Sequence, residues 1–352
     1  MKLEQSLLEA LHEGLVIPAH PLALTEDRKL DERHQRALTR YYMASGAGGV
    51  AVGVHSTQFE IRDPEHQLYE PVLRLAAEEI ERAKLDRPFL KVAGVCGPTE
   101  QALTEVNIAL NLGYDTVLLS MGGLQGLSEE EHLDRVRSIA SKVPVIGFYL
   151  QPSVGGRVFS YEFWRQFAEI DNIVAIKMAP FNRYQSIDVV RAVCYSSRRN
   201  EIALYTGNDD NIINDLLTTY RFTVEGEVVE KQVVGGLLGH WAVWTQKAVE
   251  LLEEIKLARR SQQIDINWLS RNIEVTDTNA AFFDAANHFA GCIPGIHEVL
   301  RRQGLLQGTW CLNPHEVLSP RQFEEIDRMY ECYPHLHDDD FVRDNLEVWL
   351  AP

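Results

Sequence analysis

The chain has 352 residues, 45% of them hydrophobic and 24% charged, enough apolar material for a full core and no compositional bias toward disorder. Its formal net charge of -17, unbroken by any cluster of Lys or Arg, repels phosphate backbones and excludes nucleic acid as an expected partner. No apolar run approaches the roughly 20 residues that cross a bilayer, and the acidic opening MKLEQSLLEALHEG lacks the apolar core of a secretion signal, so no membrane partner is expected.

In chain order, an N-terminal helix leads into a strand at 14–20, a helix at 30–45, a strand at 48–54 and a helix at 70–85. Strands at 89–95 and 116–120 flank a helix at 99–112, and a helix at 128–142 precedes a strand at 144–150. The latter helix opens on Ser128 and Glu131, the spacing of a capping box. A helix at 160–170 is followed by strands at 173–179, 201–207 and 233–239, the last followed by a helix at 241–260. Several of these strands are nearly continuous in apolar residues, as strands covered on both faces are. Eight strands alternating with helices over about 250 residues predict a closed (β/α)8 TIM barrel, an α/β fold, rather than an open sheet.

Between the last two strands, residues 221–233 alternate around Glu-Gly-Glu and predict a β-hairpin inserted into the barrel. Beyond the barrel, helical patterns at 280–290, 296–303 and 320–330 predict a C-terminal helical region. The expected division is thus 1–262 for the barrel and 263–352 for the helices. The five cysteines, at 96, 194, 292, 311 and 332, have no metal-ligand spacing and suit a reducing cytoplasm.

Side chains at the C-terminal ends of barrel strands carry the chemistry of such folds. Lys177 is the lysine inside a predicted strand core of this kind, in Ile-Val-Ala-Ile-Lys-Met-Ala. Burial among apolar neighbours disfavours the charged amine and frees its lone pair to attack a carbonyl. The residues alone leave open a lysine that snorkels out of the strand end or pairs with a carboxylate.

Ile-Val-Ala-Ile-Lys177 resembles the sixth-strand motif of the dihydrodipicolinate synthase and N-acetylneuraminate lyase family, and further matches fall in order over most of 14–245. The resemblance implies that Lys177 forms a Schiff base with a 2-oxo acid, without a cofactor. Tyr149, in Phe-Tyr-Leu-Gln-Pro152, matches the family's Tyr-Asn-x-Pro tyrosine and would shuttle protons at the lysine. Ser56 and Thr57, in Gly-Val-His55-Ser-Thr-Gln58, match the hydroxyl pair that holds the 2-oxo acid carboxylate, although His55 and Gln58 stand where the family has glycines. Gly207 and Asp209 match the stretch that touches substrate hydroxyls in the sugar-acid lyases, while neighbouring Asp210 suits a helix cap. His240 falls where a family residue faces the substrate tail. His20 and His55 join it as histidines expected near the mouth, with no carboxylate motif to make them a metal site.

The resemblance fails at two points. Residues 120–127 contain no tyrosine where dihydrodipicolinate synthases complete a proton relay. Val154 stands where those enzymes carry a carboxylate-binding arginine, and Arg157 lies three residues later. The expected function is therefore a Schiff-base lyase of the aldolase type acting on pyruvate or a hydroxylated 2-oxo acid, as a homo-oligomer, and not a true dihydrodipicolinate synthase. The alternatives are an imine-dependent dehydratase or decarboxylase and a catalytically silent ligand-binding barrel.

Overall fold

A computed structural model describes residues 1–261 and 263–352; the expected division at 262 falls on the residue outside that range. The chain runs through α1 (Gln5–Glu13), β1 (Val16–Pro18), α2 (Glu32–Ala44), β2 (Gly49–Val52), α3 (Tyr69–Ala83), β3 (Leu90–Val95) and α4 (Thr99–Asn111). It continues with β4 (Thr116–Leu119), α5 (Glu129–Ala140), β5 (Val145–Leu150), α6 (Tyr161–Phe167), β6 (Ile173–Ala179), α7 (Arg183–Tyr195), β7 (Ala203–Thr206) and α8 (Ile212–Leu217). Last come β8 (Thr219–Val224), β9 (Glu227–Leu238), α9 (Thr245–Arg259), α10 (Asn267–Phe282), α11 (Cys292–Arg302), α12 (Gln322–Cys332) and α13 (Asp339–Trp349). Each of the eight expected strands is present and each is followed by a helix, the succession of a (β/α)8 fold.

Two compact units make up the described residues, one from 1–15 and 92–237, the other from 16–91 and 238–352. In the first, β3, β4, β5, β6, β7 and β9 pair in that order, all parallel. Their side chains are almost wholly buried, which accounts for the unbroken apolar runs. Helix α5 begins as its sequence dictates: the Ser128 hydroxyl accepts from the Glu131 N–H, and the Glu131 carboxylate accepts from the Ser128 N–H at 2.7 Å. Helix α1 is tied on by Tyr205, whose hydroxyl donates to the Leu11 carbonyl (2.8 Å) and accepts from the Leu15 N–H (3.1 Å).

The hairpin is present but is not an insertion ahead of the eighth barrel strand. Strand β9 is one strand of 12 residues whose first half pairs antiparallel with β8 and whose second half pairs parallel with β7. Glu225 and Gly226 both take positive φ at the turn, the conformation a tight hairpin requires.

In the second unit, β1 and β2 are joined by a parallel bridge between Ala19 and Ala51. Around them the buried rings of Tyr41, Tyr42, Trp349 and Phe282 build a core with α2, α10 and α13. The C-terminal helices differ from expectation. A helix runs over Asn267–Phe282, and 280–290 is mostly turn and short 3-10 helix. Its buried apolar positions Trp268, Val275 and Phe282 recur every seventh residue, while the exposed Leu269 and Ile273 blur the periodicity that would reveal it.

Candidate active site

Strand β6 is buried along its whole length, and Lys177 sits within it at 7% exposure. In parallel register Lys177 pairs with Phe148 on β5 and with Tyr205 on β7. Paired residues of neighbouring strands point to the same face, so these three side chains share one. The Lys177 Nζ lies 4.3 Å from the centroid of the Phe148 ring. Gly207, two residues beyond Tyr205, leaves the space for the lysine stem: a Cβ there would lie 2.5 Å from Lys177 Cε and 2.9 Å from Ala179 Cβ.

Desolvation is the largest influence on the amine and lowers its pKa from the ordinary 10.5 to about 8, and the nearby charge of Asp209 offsets part of that fall. Among the described residues the amine has no ion-pair partner within 4.0 Å. It is thus a buried lysine whose neutral form is accessible near physiological pH, the property a carbonyl nucleophile needs.

Asp209 is itself buried, at 5% exposure, on the loop after β7. A network centred on Asp215 holds that loop. Its carboxylate accepts from the Thr206 hydroxyl (2.7 Å), the Asn208 amide (2.9 Å), the Asn211 amide (3.2 Å) and Arg183 (2.5 Å). The Asn208 amide oxygen accepts from the Phe181 N–H, joining the loop to the end of β6. Asp210 is not a cap: α8 starts after Asn211, and burial beside Asp215 pushes the Asp210 carboxyl above its usual range.

Tyr149 lies on the opposite face of the sheet from Lys177. It pairs with Met178, its ring packs at 4.9 Å on Trp164 of α6 and at 6.2 Å on Phe159, and its hydroxyl accepts from the Phe159 N–H at 3.4 Å. On β5 the residue that shares the lysine's face is Phe148, which has no exchangeable proton, and on β7 it is Tyr205, whose proton is donated to the Leu11 carbonyl. The proton shuttle expected of Tyr149 is therefore withdrawn. Phe148 and Tyr149 are adjacent, so only one can share the lysine's face, and the motif spacing that selected Tyr149 carries no information about register. Arg157 likewise does not take the place of a carboxylate-binding arginine. It donates to the Leu127 carbonyl at 2.8 Å, approaches His132 Nε2 at 3.2 Å and lies over the Phe159 ring.

The remaining candidates belong to the second unit, where most serve its packing. The Ser56 hydroxyl donates to the Ala19 carbonyl at 2.8 Å. The Thr57 hydroxyl donates to His20 O at 2.6 Å and accepts from the Gly53 and Val54 N–H groups. Each hydroxyl has one proton, and both are spent on carbonyls at the end of β1, so neither remains to donate to a substrate carboxylate. His20 is fully buried. Its Nδ1 lies 2.8 Å from Pro21 O, its Nε2 lies 2.9 Å from the Thr39 hydroxyl, and burial lowers its pKa to about 4. It is a satisfied core histidine rather than a substrate contact. His55, part-exposed, faces Phe59. His240, at 7% exposure, packs on Phe282 and approaches the Asn279 amide at 3.3 Å, with its pKa lowered by burial to about 3. It lines a cleft of about 410 Å³ with Trp241, Trp244 and Arg271.

Known proteins match the chain in sequence and in fold. The sequence model of the dihydrodipicolinate synthetase family matches residues 14–222. N-acetylneuraminate lyase of Citrobacter koseri is 25% identical over 205 residues, which cover 57% of this chain and 65% of that relative's length. The solved dihydrodipicolinate synthase of Oceanobacillus iheyensis superposes with a TM-score of 0.71 at 17% identity, covering 94% of this chain and 99% of that one. N-acetylneuraminate lyase of Fusobacterium nucleatum, solved with pyruvate, gives 0.67 at 17% identity over 92% and 98%. The chain shares their fold, the eight-stranded β/α barrel followed by a helical region.

Proposed function

The chain belongs to the dihydrodipicolinate synthetase family, and on that premise we propose that it is a lyase working through an imine between Lys177 and a 2-oxo acid. The neutral Nζ adds to the C2 carbonyl, water leaves, and the protonated imine withdraws electrons from the adjacent bond that is made or broken. One observation carries this reading above the others: the amine is buried, shifted to about 8 and held in a slot cleared by Gly207. The relatives described as lyases, and the neighbour solved with pyruvate, supply the substrate class. Asp209, the loop carboxylate whose charge acts on the amine, is our candidate for moving the proton. Five cysteines without metal-ligand spacing suit the reducing cytoplasm proposed for the protein.

Phe148 favours a second reading. Retro-aldol cleavage needs a base at the substrate's C4 hydroxyl, whereas loss of carbon dioxide from the imine of a 2-oxo acid that carries a second carboxylate on C3 needs none, the electrons passing into the enamine. A phenyl ring beside the amine therefore suits an imine-dependent decarboxylase as the alternative within this chemistry, more than a dehydratase, which needs a base at C3 and an acid at the leaving hydroxyl.

Reductive trapping tests the imine. The protein is incubated with pyruvate and sodium borohydride, and its peptides are mapped by mass. A pyruvate-derived adduct on Lys177, absent from Lys177→Ala, is the expected result. If neither pyruvate nor any other short 2-oxo acid leaves an adduct, the barrel is a silent binding protein. Product analysis over a panel of 2-oxo acids then separates aldehyde release from carbon dioxide release.

A further inference from the structure

A second chemically distinctive place lies in the first unit, at the turn that leaves β3. Cys96 is half-buried there, with its N–H donating to the Glu105 carboxylate at 3.1 Å and its Sγ 4.0 Å from the other oxygen of that carboxylate. The Gln101 amide donates toward its Sγ at 3.8 Å. Gly97 makes this close packing feasible: its φ is +78°, and a Cβ there would lie 2.2 Å from the Gln101 amide oxygen.

Arg135 of α5 reaches the same turn. Its Nε donates to the Gly97 carbonyl at 2.9 Å, one residue from the cysteine, and its charge acts on both Cys96 and Glu105. The side chain is only 2% exposed, yet its two terminal nitrogens have no hydrogen-bond partner among the described residues. A guanidinium taken out of water with its terminal donors unfilled is poised for an anionic oxygen.

We propose that Cys96 is a site of oxidation by hydroperoxides and that Arg135 holds the oxygen of the sulfenate product. The thiolate sulfur attacks the terminal peroxide oxygen. The thiol proton goes to solvent, an S–O bond forms as the O–O bond breaks, and the alkoxide or hydroxide that departs with the electron pair takes the proton of the transferred oxygen, which leaves S–O⁻. Sulfur is oxidised by two electrons, and the peroxide is reduced to an alcohol or water. The Arg135 guanidinium offsets the Glu105 charge beside the sulfur, and its unfilled N–H groups stabilise first the thiolate and then the S–O⁻ oxygen. Three of the other cysteines are unsuited: Cys194, Cys292 and Cys311 are buried, and burial pushes the thiols of Cys194 and Cys311 up. Cys332 is exposed and serves as the internal reference for an accessible thiol.

The full chain is exposed to hydrogen peroxide, trapped with dimedone over a time course and mapped by peptide mass. We expect dimedone on Cys96 before Cys332. Arg135→Leu slows labelling of Cys96 by roughly tenfold and leaves Cys332 unchanged. Arg135→Lys recovers part of the rate. Faster labelling of Cys332 than of Cys96 in the unaltered chain overturns the proposal without recourse to any variant. So does unchanged labelling of Cys96 in a folded Arg135→Leu.

Discussion

At pH 7 an amine with a pKa of about 8 is still mostly charged, but its neutral fraction is far larger than that of an exposed lysine. Imine formation with pyruvate, trapped by cyanoborohydride, is therefore expected to rise with pH and level off above about 8; a rise that continues past 10 would mean that burial does not tune this group. The same burial has a cost in stability. The folded chain holds the Lys177 proton more weakly than the unfolded chain, so this residue's contribution improves as pH rises from about 8 to 10.5 and is least favourable at and below neutrality. Lys177→Met should stabilise the fold at pH 7 by on the order of 1–3 kcal/mol, read in chemical denaturation and as a higher melting temperature, with the gain shrinking above pH 10. Tyr149→Phe should leave trapping within about threefold of the unaltered protein, because the hydroxyl it removes faces α6 and makes one weak hydrogen bond. Loss of trapping in that variant would return the tyrosine to the site.

At the scale of elements, the loop after β7 depends on one carboxylate. Removing Asp215 leaves Arg183, Thr206 and Asn208 without their shared acceptor. Asp215→Ala is expected to cost about 1–3 kcal/mol in chemical denaturation, the range for leaving buried donors, here Thr206 and Asn208, short of an acceptor. Gly207→Ala acts at shorter range: with Lys177 Cε 2.5 Å from the added methyl, the lysine stem must move. It should lose about 1–3 kcal/mol and most of its imine trapping while remaining folded. The capping box at Ser128, the turn at Glu225–Gly226 and the buried strands were all legible in the sequence, because caps, turns and apolar runs are local. Helix α10 was not. Its buried stripe is narrow and includes Asn272, Thr278 and Asn279, so side-chain chemistry conceals which face is inside.

For the molecule as a whole, the face of α10 and the residue before it leave Ile266, Leu269 and Ile273 exposed by 78, 60 and 63%. Spaced three and four apart, they form an apolar stripe of the kind that association covers. Light scattering should find a dimer or tetramer, and Leu269→Glu with Ile273→Glu should yield a smaller species; a monomeric unaltered protein at micromolar concentration would remove the homo-oligomer from this account. No helix among the described residues is long and apolar enough to cross a membrane. The alternation of strands and helices, the helical tail and a lysine enclosed in an apolar strand all follow from the amino-acid order, since periodicity and hydrophobic runs act over a few residues. Tertiary structure decided that Phe148 rather than Tyr149 accompanies the amine, that the protons of Ser56 and Thr57 are spent on the end of β1, and that His20 is a core residue. Strand register and hydrogen-bond partners are set by atoms far apart in the chain, and no local pattern encodes them.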